Sequence, residues 1–186
     1  MKYFYPILFT LLSGCAMGDD IECDFVSEGL CVDEGDYYID TEMVYRTINF
    51  TEMAVNKFYP GLNLGDLLDK YNVKVKYISK EEMKREHHPS ARGIYYSNGH
   101  AIYVAQPDRW DEDWQLCVEN YYVLGHELEH FIFEEYLDGS EEDSFDHNTD
   151  LFLDWVFQDE ENRVSTESAE FYIYMDVLYR CKELDK

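Results

Sequence analysis

Residues 123–133 read V-L-G-H-E-L-E-H-F-I-F, so two histidines, His126 and His130, stand four apart in a largely apolar run. On a helix, residues i and i+4 project from one face. The two imidazoles would then converge on one point, as a tetrahedral Zn²⁺ asks of its nitrogen ligands. Glu127 lies one position round the helix, within reach of a water held by that metal, and would serve as general base. One turn thus carries two metal ligands and a catalytic carboxylate. The plainer alternative is a histidine pair satisfied by hydrogen bonds. Context argues against it. Val123, Leu124, Leu128, Phe131 and Ile132 are apolar, so the helix is expected to be buried. Two histidines and two glutamates on a buried helix are costly unless paired or bound to a cation. Gly125, just before His126, leaves room for close approach of backbone or substrate.

A catalytic zinc needs a third protein ligand. His147, in S-F-D-H-N-T-D-L-F, follows a polar loop that can turn the chain back, and it is the first choice. Asp146 is the alternative third ligand, within a wider range of acids over 146–170. Asp150 and Asp154 could accept a hydrogen bond from the far nitrogen of a ligating imidazole. Glu160, Glu161, Glu167 and Glu170 carry no distinguishing context. His87, His88 and His100 read as surface residues, with His100 at most lining the cleft. Tyr172 or Tyr174 could stabilise an oxyanion, and Met175 reads as a core residue.

The elements that must position this helix follow from periodicity and punctuation. Residues 41–59 show helical spacing of Met43, Val44, Ile48, Val55 and Phe58, stopped by Pro60-Gly61. A short helix fits 64–71. Residues 73–79 alternate as a strand with one wet face, and 80–88 are a charged, exposed helix. Two β-rich runs over 93–105 flank Ser97-Asn98-Gly99, a strong hairpin signal. A long helix is expected over 112–137, and others over 148–158 and 166–182. The order implies an α+β domain, helices packed on a small, largely antiparallel sheet with the motif helix at its centre.

Over roughly 94–150 the chain resembles the zincin metallopeptidases. That resemblance implies hydrolysis of a peptide or protein substrate by a zinc-bound water, with Glu127 as base. It also implies an edge strand before the motif helix that holds substrate by main-chain hydrogen bonds, which would be H-A-I-Y-V-A, 100–105. No subfamily is reached. The Gly and His that the metzincin pattern needs after the second histidine are absent from F-I-F-E-E-Y-L-D-G, and no glutamate lies in 148–158 for the gluzincin pattern. The rival class is a non-catalytic envelope lipoprotein with a zincin-like, metal-binding fold, acting as a binding or structural module.

The N-terminus reads separately. Lys2 precedes an apolar stretch over 3–12, too short to span a bilayer and typical of an export signal. Leu12-Ser13-Gly14-Cys15 resembles the bacterial lipoprotein lipobox, which implies cleavage after residue 14 and lipidation of Cys15 by diacylglycerol and palmitate. The expected location is the cell envelope, anchored on the exported side through the N-terminal lipid only. Residues 15–40 read as linker and disulfide loop, and 41–186 as the catalytic domain. Four cysteines remain, and in an oxidising space they imply two disulfides. Of three possible pairings, Cys23 with Cys31 closes a local loop, and Cys117 with Cys181 ties the C-terminal segment to the motif helix. The formal charge of −25 excludes nucleic acid as a partner, because such a surface repels phosphate backbones.

Overall fold

The computed structural model describes Gly18 and residues 21–106, 113–139 and 168–184. Five strands form one mixed sheet in the order β1-β2-β3-β5-β4: β1 Phe25–Ser27, β2 Leu30–Asp33, β3 Lys74–Ser79, β4 Gly93–Tyr96 and β5 Ala101–Gln106. The helices are α1 Thr41–Val55, α2 Leu64–Tyr71, the short α3 Lys80–Glu82 that continues as a π-helical turn over Met83–His87, α4 Asp113–Glu135 and α5 Ala169–Leu184. This is an α+β arrangement, and most expected elements fall within a few residues of their observed limits.

Three expectations about the sheet are corrected. It is not largely antiparallel: β2, β3 and β5 run parallel, and only the edge pairs β1–β2 and β4–β5 are antiparallel. The segment expected to be linker and disulfide loop supplies the β1–β2 hairpin, so the sheet begins well before residue 41. The strand beside the motif helix at the sheet's edge is β4; β5 lies inside, paired on both sides. Every residue of β5 is buried, as a near-continuous apolar run requires of an interior strand.

Alternation along the strands separates two cores. Val75, Tyr77, Ile102 and Val104 face α1, α2 and α4. Ile78, Ala101, Tyr103 and Ala105 face the opposite side, where Met83 covers them. Asp40 caps α1 by accepting the Glu42 N–H, and Asn63 caps α2 by accepting the Asp66 N–H. Asn72 ends α2 at φ +51°, a left-handed position that asparagine tolerates.

Helix α5 lies outside α1 and α4 and packs on both. Ala169, Ile173, Val177 and Cys181 repeat every fourth residue and are all fully buried. Gly125 of α4 lies under this seam: a Cβ there would stand 2.7 Å from Ile173 Cγ2. The space it leaves is therefore filled by a neighbouring helix and not by substrate. Both expected disulfides are present, Cys23–Cys31 across the first hairpin and Cys117–Cys181 between α4 and α5. Among the described residues no helix is long and apolar enough to cross a membrane.

Candidate metal centre

Helix α4 buries Val123, Leu124, Leu128, Phe131 and Ile132, which leaves His126 and His130 half-buried on the adjoining face. Their rings stand nearly perpendicular, with Nε2 of one 3.1 Å from Nε2 of the other. The i, i+4 spacing brings two imidazole nitrogens within hydrogen-bond distance of each other. The donor set suits a borderline cation such as zinc.

Glu170, in the first turn of α5, sets the orientation of His126. One of its carboxylate oxygens lies 2.9 Å from His126 Nδ1 and also accepts the Tyr122 hydroxyl. Ser168 Oγ accepts the Phe171 N–H at 3.1 Å, so α5 starts with a capped turn, where the helix dipole favours a carboxylate. Burial, the largest influence on His126, would lower its pKa. The hydrogen bond to Glu170 and the charges of Glu127 and Glu170 together outweigh burial and raise it. Burial, then the adjacent Glu170, pushes the Tyr122 hydroxyl far above its ordinary value, so it stays a proton donor.

Glu127 points the other way, toward the sheet edge. It is only 4% exposed, and its carboxylate accepts the backbone N–H of Tyr95 in β4. Burial lifts its pKa to about 7, against the lowering influence of His126 and of the Tyr95 N–H. Its approach depends on Gly93. A Cβ at that position would collide with the Glu127 carboxylate and lie 2.6 Å from Val123 Cγ1. A cleft of about 290 Å³ opens here, between Arg92 and Gly93 on one side and Tyr122, Val123, His126 and Glu127 on the other.

The fourth polar residue of the motif, Glu129, is fully buried. Burial, and after it the charge of Glu170, pushes its pKa well above the carboxylate range. Ligand atoms of His126, Glu129 and Glu170 lie within 4.8 Å of one another.

Of the expected site residues, His126 meets His130 through Nε2 and shares the cleft with Glu127. His147, Asp146, Asp150, Asp154 and Cys15 lie outside the described residues, as does the helix expected over 148–158. Glu170, without distinguishing context in the sequence, contacts His126, and Tyr122 and Gly93 join it at the site. One signal could have found Glu170. Cys117 precedes His126 by nine residues and Cys181 follows Glu170 by eleven. In antiparallel helices tied at those cysteines, about 13.5 and 16.5 Å of rise bring His126 and Glu170 to nearly the same level.

Other sequence candidates lie elsewhere. His87 stacks on Tyr103 on the opposite face of the sheet, with centroids 4.2 Å apart, and His88 contacts Ser90. His100 is not a free surface residue: its Nδ1 is 3.0 Å from the Tyr95 hydroxyl, and its ring packs on Tyr71 and Phe131. Tyr172 packs on Phe58 and beneath Lys57, while Tyr174 meets Tyr122 edge-on. Met175 is 46% exposed, so it belongs neither to the core nor beneath a metal. No family model, curated protein or solved structure matches this chain.

Proposed function

We propose that this chain is a zinc-dependent peptidase of the zincin type, held at the envelope by lipid on Cys15. One observation carries the reading. His126 and His130 converge through Nε2 at 3.1 Å, and Glu127, from the same turn, reaches the edge strand beside a cleft that it lines together with His126. His126 and His130 would hold Zn²⁺, with the third ligand contributed by His147 or Asp146. Bound zinc would supply a Lewis acid for a scissile carbonyl and a water of lowered pKa. The chain's own residues provide the rest. Glu170 fixes the ring and tautomer of His126 by accepting from Nδ1–H, which leaves Nε2 as a lone pair toward the cleft. Glu127, whose pKa burial pushes up to about 7 in the metal-free chain, is placed to accept a proton from the nucleophile and return it to a leaving amine. An extended peptide would lie along β4, the strand at the sheet's edge beside Glu127.

A second reading, a non-catalytic metal-binding module, draws on the burial of Glu127 and its bond to Tyr95 N–H, which could be structural. Glu127→Gln separates the two. It keeps the size and part of the hydrogen bonding and removes the base. Peptide hydrolysis by the zinc-loaded protein is expected to fall about 10²–10⁴-fold while zinc content is unchanged. Wild-type protein that binds zinc but cleaves nothing in a broad peptide library would defeat the peptidase reading. Mass spectrometry of the mature N-terminus tests the anchor: an unmodified or missing Cys15 would remove it.

A further inference from the structure

Glu129 has no part in the chemistry proposed above. It is fully buried, and among the described residues neither of its carboxylate oxygens has a hydrogen-bond partner. An ionised carboxylate so placed is among the most costly arrangements a fold can hold. Adding a proton does not settle the account, because the resulting O–H would need an acceptor. The neighbouring Glu170 is 4% exposed, so two carboxylates share one dry pocket beside the His126 ring.

We infer that His126, Glu129 and Glu170 form a second, inner position for a divalent cation, on the far side of the His126 ring from His130. Their ligand atoms lie within 4.8 Å of one another, a spread that a cation with bonds of about 2.1–2.4 Å can bridge. The ligand chemistry matches too. Two carboxylates neutralise one divalent charge, and oxygen ligands with one imidazole suit Mn²⁺ as well as Zn²⁺. His126 Nδ1, 2.9 Å from Glu170, is the nitrogen on this side.

A neutral imidazole offers one lone pair, so its tautomer selects the position. With the proton on Nδ1, donated to Glu170, Nε2 is open toward the outer position that it shares with His130. With the proton on Nε2, donated to His130 Nε2 at 3.1 Å, Nδ1 is open toward Glu129 and Glu170. The inference shares His126 with the proposed zinc centre but does not depend on catalysis.

The test is equilibrium dialysis of the stripped full-length chain against Mn²⁺ and, separately, Zn²⁺. The proteins are wild type, His130→Ala, Glu129→Gln and the double variant, each checked for folding by circular dichroism. His130→Ala loses the outer position but is expected to keep roughly one equivalent of Mn²⁺, bound at the inner one. Adding Glu129→Gln should weaken that binding at least about tenfold. Glu129→Gln alone should keep its zinc, because the outer position is intact. His130→Asn stands in if the alanine variant misfolds. The inference fails if His130→Ala binds no cation where wild type saturates, or if the double variant binds as tightly as His130→Ala. Neither result bears on whether Glu127→Gln abolishes hydrolysis, so the two proposals fail separately.

Discussion

A carboxylate oxygen of Glu170 lies 2.9 Å from Nδ1 of His126, and the same oxygen accepts the hydroxyl of Tyr122. A residue on α5 thus decides how a residue on α4 presents its ring. The three side chains form a chain of charge-assisted hydrogen bonds in a largely buried place, where such bonds are strong. The affinity of a cation bound at His126 would depend on the packing of these two helices.

Glu170→Ala removes that support and leaves the Tyr122 hydroxyl without its acceptor. Partners that orient a ligating imidazole typically contribute about 10–100-fold to metal affinity. Competitive zinc titration is expected to show a loss of that size. Unchanged affinity would mean that His126 is held by its packing alone.

Gly93→Ala probes the other side of the site. Its added methyl has nowhere to go: Val123 Cγ1 would be at 2.6 Å and Glu127 Cγ at 2.8 Å. Either β4 moves away from α4 or Glu127 changes rotamer. Overpacking of this kind costs about 1–3 kcal/mol. Hydrolysis is expected to fall far more than zinc content, because Glu127 is displaced while His126 and His130 are not. Thermal melting and a zinc assay on the same sample check both halves. Full activity in this variant would show that the Glu127 position has slack.

How much of this was legible follows from the range of each interaction. The motif, the limits of α2 and the Ser97-Asn98-Gly99 hairpin are local, and the sequence announces them. Strand β2 is four residues long, and its partner β3 begins some forty residues later, so nothing local reveals the parallel pairing. The identity of the edge strand escapes a local reading for a related reason. The unbroken apolar run of β5 is the mark of an interior strand, and the shorter Gly93-Ile94-Tyr95-Tyr96 forms the rim. Glu170 was hidden among many acids because its role appears only once Cys117 and Cys181 set the register of two helices.

That register suggests a third experiment. The Cys117–Cys181 bridge closes a long stretch of chain, a sequence separation of 64 residues, and joins the two helices that hold the Glu170–His126 contact. Replacing both cysteines by serine is expected to cost about 2–4 kcal/mol by denaturant unfolding. Zinc affinity should weaken with it, because α5 is no longer fixed alongside α4. The equivalent change at Cys23 and Cys31 lies in the first hairpin, and there the zinc affinity should hold. Equal effects of the two pairs on zinc would remove the link between bridge and site.

The buried carboxylates of α4 give the metal-free protein a particular response to pH. Burial raises Glu127 from an ordinary value of 4.5 to about 7, and raises Glu129 well above its ordinary value. Below the ordinary value both groups are protonated in folded and unfolded chains, and pH has no leverage through them. Between that value and about 7 the unfolded chain has released its protons while the folded chain still holds them. The folded state then binds more protons, so stability falls as pH rises. For Glu127 the fall is complete above about 7, and for Glu129 it continues to higher pH. Melting of the chelator-treated protein is therefore expected to move to lower temperature from about pH 5 to pH 8. Saturating zinc should flatten the slope, because a cation beside these groups compensates their negative charge. The double substitution Glu127→Gln, Glu129→Gln should flatten it without zinc, which separates these two residues from the acidic surface at large. A melting temperature that stays level or rises across this range in the metal-free wild type would show that neither carboxylate carries the burial penalty assigned to it.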